Sequence, residues 1–253
     1  MPRIITFTNQ KGGVGKTTSA LNVAAALAEK QYKVLLIDLD PQGNLSQSLL
    51  QDIPRNTIFT VLLEECKLEE VVIPINENLV LIPCNDKFSN FEKYFAADAE
   101  SQFKLQGFIE DLLESIEGNI DFILIDTPPA LGLITLNALV ASAEVYIPMN
   151  SQEYSLIGFE KVVKVCETIK KRINKELEVK GAFFTRHNPR KTISKDLTEL
   201  LKVNHPKIVM DTFIRVNVSL EESPSARQSV FEYDPDSNGA KDYMKLTEEI
   251  INR

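Results

Sequence analysis

Residues 9–18 read Asn9-Gln10-Lys11-Gly12-Gly13-Val14-Gly15-Lys16-Thr17-Thr18. They follow the short apolar run Ile4–Thr8 and open the Ala- and Leu-rich stretch Thr17–Lys30, which has helical spacing. A glycine-rich turn between a strand and a helix is the setting of a phosphate-binding loop. Gly12, Gly13 and Gly15, with Val14 between them, let the backbone turn tightly and aim its N–H groups at an anion. The start of the helix adds the positive end of its dipole. In such a loop Lys16 reaches the β- and γ-phosphates of a nucleotide, the Thr17 hydroxyl ligates Mg²⁺, and Thr18 lies on the α-phosphate side.

Outward from this loop the same alternation recurs. Apolar runs Lys33–Ile37, Asp121–Ile125, Glu144–Met149, Val179–Thr185 and Lys207–Ile214 predict strands. Ser101–Glu117, Leu156–Asn174, Ser194–Val203 and Gly239–Asn252 predict helices. Several runs are apolar throughout, as expected of parallel strands covered on both sides. The expected fold is α/β: a doubly wound, mostly parallel sheet with helices on both faces and ligands at the C-terminal strand ends. Residues 44–100, with Pro54, Pro74 and Pro83, are less regular and are read as an elaboration, so that 1–253 forms a single domain.

The 253 residues are 43% hydrophobic and 25% charged, which excludes a disordered chain, a collagen-like repeat and a disulfide scaffold. No apolar run approaches the roughly 18–20 residues that span a bilayer, and no export signal opens the chain. A cytoplasmic location is expected. Cys66, Cys84 and Cys166 are widely spaced and read as reduced, packed thiols. His187 and His205 cannot build a metal site alone and are read as surface or loop residues. The net charge is −8, yet residues 160–215 hold fourteen Lys and Arg against seven Asp and Glu. Residues 64–120 form the acidic pole, with thirteen acids against four bases. A chain polarised in this way can be acidic overall and still present a basic face.

The loop departs from the usual phosphate-loop pattern in one respect. Gln10 stands where glycine is usual, and Lys11 precedes the glycines. The run Lys11–Thr17 resembles the deviant Walker A motif of the ParA/MinD branch of phosphate-loop ATPases. Leu36–Gly43 (Leu-Ile-Asp-Leu-Asp-Pro-Gln-Gly) is similar to that family's second motif, and Phe122–Pro129 (Phe-Ile-Leu-Ile-Asp-Thr-Pro-Pro) to its Walker B strand. Leu131–Leu139, Glu221–Ser225 and Tyr233–Ala240 look like the ParA/Soj group, so the resemblance covers essentially the whole chain. It implies an Mg²⁺-dependent ATP hydrolase. Lys11 would reach across a homodimer to the partner's nucleotide. Asp40 would orient the attacking water and couple to Mg²⁺, with Asp38 as its neighbour, and Asp126 would hold Mg²⁺ through water. Adenine would lie after the strands ending near Thr185 and Ile214.

The resemblance further implies non-specific DNA binding by the ATP dimer, a nucleoid-associated location, and hydrolysis stimulated by a ParB-like or other cargo-adaptor protein. One of two family arginines has a match at Arg190; the other falls at Ser219, so Lys191, Lys195, Arg215 or Arg227 would have to supply the remaining phosphate contacts. A MinD-like membrane-cycling ATPase would need a basic amphipathic tail, whereas Tyr243–Arg253 carries Glu248 and Glu249, so no membrane partner is expected. An organelle-positioning ATPase remains an alternative within the same chemistry. An iron–sulfur ATPase would need cysteines beside the motifs, and Cys84 and Cys166 are read as lying elsewhere. A small-molecule kinase would have no use for Lys11.

Overall fold

The structure, a computed structural model, describes residues 1–115, 119–150, 155–188 and 192–253, without the side chains of 155 and 192–196. Seven strands run β1 (Arg3–Phe7), β2 (Val34–Asp38), β3 (Ile73–Pro74), β4 (Leu79–Ile82), β5 (Phe122–Asp126), β6 (Glu144–Asn150) and β7 (Glu178–Thr185). Eleven helices among the described residues alternate with them. The first six are α1 (Lys16–Glu29), α2 (Asn44–Gln47), α3 (Ile58–Leu62), α4 (Phe91–Phe95), α5 (Lys104–Ser115) and α6 (Leu133–Ala141). The remainder are α7 (Ser155–Arg172), α8 (Thr192–Asn204), α9 (Ser219–Glu222), α10 (Val230–Tyr233) and α11 (Asn238–Ile251).

The strands form one sheet in the order β3-β4-β2-β5-β1-β6-β7. Every neighbouring pair is parallel except β3 with β4. The all-apolar runs sort by period two. Val34 and Leu36 of β2, and Phe122 and Leu124 of β5, pack with α1 and α11 on one face. Leu35, Ile37, Ile123 and Ile125 pack with α5 and α6 on the other. A third cluster joins β6 and β7 to α7 and α8. This is the expected doubly wound α/β fold, and a strand covered on both faces has no place for a polar residue until it ends. In β2 and β5 the first polar residue is the terminal aspartate.

Segment 44–100 adds β4, and the antiparallel strand β3 that the sequence pattern did not predict, to the edge of this sheet. The run Lys207–Ile214, predicted as a strand, is not one. It meets β7 and the residues after it through isolated bridges, Ala182 to Val209 and His187 to Arg215, and a hydrogen bond from Ile214 N–H to the Phe184 carbonyl at 2.8 Å. Between these contacts the carboxylate of Glu249 in α11 accepts from the amides of Asp211 (3.1 Å) and Thr212 (2.9 Å). The helix predicted from Ser101 begins as a 3₁₀ turn, Ser101–Phe103, before α5. Its predicted end at Glu117 lies outside the described residues. Among the described residues no helix is long and apolar enough to cross a membrane.

Candidate functional site

β1, β2 and β5 are adjacent and in register, so Phe7, Asp38 and Asp126 end side by side. The loop after β1 therefore emerges beside two carboxylates. Gly13 (φ 71°) and Gly15 (φ 83°) adopt the left-handed conformation that favours glycine. A Cβ on Gly15 would also come within 3.3 Å of Thr185 at the end of β7. The loop is held at both flanks. The Asn9 side-chain amide donates to the Pro148 carbonyl at 2.8 Å, and Asn9 Oδ1 accepts from Lys11 N–H at 3.1 Å. Thr185 Oγ1 donates to the Val14 carbonyl at 2.8 Å. Val14 itself is buried, so its contribution to the loop is its backbone.

Around this loop lies a cleft of about 660 Å³. Gly12, Gly13, Gly15, Lys16, Thr17 and Thr18 line one side of it, and Asp40 lines it too. Lys16 is buried, and burial lowers its pKa against the opposing pull of Asp126 and Asp40. Thr17 Oγ1 donates to Asp126 Oδ2 at 2.7 Å. The other oxygen, Asp126 Oδ1, is buried with no hydrogen-bond partner among the described residues. Burial and the neighbouring Asp38 hold the Asp126 carboxyl well above the usual carboxylate range. An orphaned buried carboxylate oxygen beside a threonine hydroxyl fits a magnesium ion. Among the described residues no three His, Cys, Asp or Glu side chains converge on one cation position. Thr17 and Asp126 would thus hold the ion, and phosphate oxygens and water would complete its coordination, as Mg²⁺ prefers.

Asp38 and Asp40 differ in their work. Asp38 Oδ1 accepts from Asp40 N–H at 3.0 Å, and Oδ2 accepts from Ser46 N–H at 2.9 Å and Ser46 Oγ at 2.7 Å. Its pKa is pushed up to about 6 by burial. Asp38 thus fixes the 38–46 loop, a role that reading it as a neighbour of Asp40 missed. Asp40 is presented to the cleft, its Oδ1 accepting only from Gln42 N–H at 3.0 Å among the described residues. Gly43 (φ 63°) completes the turn, and a Cβ there would lie 2.9 Å from the Cys84 carbonyl. Cys84, read as lying away from the motifs, packs against the second one, and its amide donates to Ser46 Oγ at 2.9 Å. It is fully buried, and burial holds its thiol well above the usual range, so it serves the loop as a packed, protonated group.

Lys11 is not among the residues that line this cleft. Its ammonium donates to Asn150 Oδ1 at 3.1 Å, at the end of β6. A second small cavity, about 50 Å³, lies between Thr18 and the residues that follow β7 and Ile214, including Arg186, Arg215 and Asn217. That is where an adenine ring was expected.

The DNA candidates scatter. Arg190 and Lys191 lie outside the described residues, as does the side chain of Lys195, whose backbone is in α8. Arg215 is not an available cation: Asp242 of α11 takes its Nη2 at 2.6 Å and its Nε at 2.9 Å, an arrangement that requires contact between distant segments. Arg227 lines the cleft around the glycine loop rather than the 186–215 region. Of the histidines read as surface or loop residues, His187 is instead buried between Phe184 and Phe213, while His205 packs edge-on against Phe159.

A family model described as an AAA domain matches residues 2–179. The chain is 35% identical over 254 residues to the chromosome partitioning protein ParA of Myxococcus xanthus, covering 99% of this chain and 88% of that one. It is 34% identical over 254 residues to the sporulation initiation inhibitor protein Soj of Bacillus subtilis, covering 99% and 98%. Among solved structures, cobyrinic acid a,c-diamide synthase from Mycobacterium smegmatis with bound ADP and magnesium superposes with a TM-score of 0.85 at 28% identity, over 100% of this chain and 95% of that one. The glycine loop, the two carboxylate-ended strands and the full-length similarity agree: the chain belongs to the ParA/Soj-type partition ATPases, in the ParA/MinD branch of phosphate-loop ATPases with a deviant Walker A motif.

Proposed function

We propose that the protein, acting as a single domain, is an ATP-dependent dimerising ATPase that binds DNA without sequence preference and positions a plasmid, a chromosome or another cargo. The observation that carries the reading is Lys11. The cleft already has its own buried cation in Lys16, and Lys11, which is not among the residues lining it, donates to Asn150. A second lysine that does not line its own cleft suits a neighbouring subunit's nucleotide. There it offsets the repulsion of two triphosphates brought face to face.

In the bound state the loop amides and Lys16 cradle the β- and γ-phosphates, and Asp40 orients water at the γ-phosphate. Thr17 and Asp126 would hold a magnesium ion, which would supply charge neutralisation to the phosphate oxygens. Turnover by the isolated protein is slow, and a ParB-like or other cargo-adaptor protein accelerates it. The cycle operates in the cytoplasm on the nucleoid, with no membrane partner.

The test is light scattering in Mg-ATP. Wild type forms a dimer. Lys11→Ala binds ATP and remains monomeric, and Lys16→Ala fails to bind. A Lys11→Ala protein that dimerises as wild type removes the cross-subunit role.

A further inference from the structure

The segment following α9 ends in a closed turn. Arg227 N–H donates to the Pro224 carbonyl at 3.1 Å, and Gln228 N–H donates to the Ser223 carbonyl at 3.1 Å. This nested pair of bonds terminates a helical turn with one residue in the left-handed conformation, a position that glycine normally fills. Here it is Arg227, at φ 57°. Gln31, Glu64 and Arg186 share the conformation, but none of them lines the cleft. Arg227 does, on a wall shared with Pro224 and Ser225 and facing the space bounded by Lys16, Thr17 and Thr18.

Nothing in the fold accounts for an arginine at this place. Its guanidinium has no hydrogen bond or ion pair with any described residue, in contrast to Arg3, Arg186, Arg215 and Arg253, each of which is paired with a carboxylate. Glycine would satisfy the backbone with less strain. What arginine adds is a planar, permanently charged donor suited to phosphate oxygens, placed in a cleft built for an anion. Lys16 is buried while Arg227 is exposed, so the two would grip a polyphosphate from inside and from the solvent side.

We propose that Arg227 is a nucleotide-binding residue, its guanidinium closing on the polyphosphate of ATP or ADP from the rim of the cleft, and not a contact to DNA. This rests on the cleft being the nucleotide site, which Lys16→Ala tests separately. The experiment is calorimetric titration of Mg-ATP and Mg-ADP into wild type, Lys16→Ala, Arg227→Gly and Arg227→Lys, with a melting curve of each protein without nucleotide. Arg227→Gly relieves the backbone, so its nucleotide-free melting temperature equals or exceeds that of wild type. Its affinity for both nucleotides nevertheless falls roughly ten- to a hundredfold, the range for loss of a charge-assisted hydrogen bond, and Arg227→Lys recovers part of the loss.

Unchanged affinity in Arg227→Gly overturns the proposal. So does a loss accompanied by a lower nucleotide-free melting temperature, which marks a structural role. Unchanged nucleotide affinity with a shallower salt dependence of DNA binding would reassign Arg227 to DNA. If wild type and Lys16→Ala bind ATP alike, the cleft reading itself fails, and the role of Arg227 with it.

Discussion

Asp126→Asn should stabilise the nucleotide-free protein and abolish its response to Mg-ATP. Asp126 is fully buried, Asp38 stands beside it in register, one carboxylate oxygen is bound by Thr17 and the other by no described residue. Burial and Asp38 hold this carboxyl well above the usual carboxylate range, so folding without a cation takes up a proton that the unfolded chain does not hold, which costs stability at neutral pH. Asparagine keeps the shape and the acceptor for Thr17 and has no proton to take up. A gain of about 2 kcal/mol corresponds to a rise of about 4–8 °C in melting temperature for a chain of this size. Mg-ATP at a thousand times its dissociation constant stabilises wild type by about 4 kcal/mol, and the variant should gain little of this. The order of the two melting curves therefore inverts between nucleotide-free buffer and saturating Mg-ATP. Calorimetric melts of both proteins in both conditions read it directly. An Asp126→Asn protein less stable than wild type without nucleotide, or equally stabilised by Mg-ATP, would refute the assignment of this carboxylate to the cation.

Other outcomes follow from neighbouring residues. Asp40→Ala, which leaves Asp38 to hold the loop, should give a long-lived ATP dimer with little hydrolysis, read by single-turnover phosphate release. Arg215→Ala should cost about 1 kcal/mol through the loss of its partly exposed pair with Asp242, seen as a lower urea midpoint, and leave DNA affinity unchanged. Burial lowers the pKa of His187, so the folded protein takes up this proton less readily than the unfolded chain. The stability His187 contributes is complete above about pH 6.5 and is lost as the pH falls below it. Urea midpoints between pH 7.5 and 5 should fall less steeply in His187→Gln.

The sequence makes the nucleotide side of this site legible because its determinants are local. Glycines that must turn, a lysine and threonines at the start of a helix, and aspartates ending all-apolar strands each announce themselves within a few residues. What escapes is carried by distant segments. The anchoring of Asp38 to Ser46 and Cys84 depends on how the loop folds back. Glu249 takes the amide of Asp211 across 38 positions. Asp242 neutralises Arg215 from α11, and Arg227 reaches the nucleotide cleft only through the turn that closes residues 223–228. Charge counted along the 160–215 window could not show that Arg186 and Lys202 are already paired with Glu221 and Asp211.

In the proposed cycle, ATP converts a modest cationic surface into a DNA-binding dimer. The most direct test of this step is a salt titration of binding to random-sequence duplex by fluorescence polarisation, with ATP, with ADP and without nucleotide. The account predicts binding in Mg-ATP alone. It predicts affinity that is equal for unrelated sequences and falls with log salt at a slope of about −0.9 per phosphate contact. Binding that ignores the nucleotide, or that is absent in ATP at low salt, would contradict it.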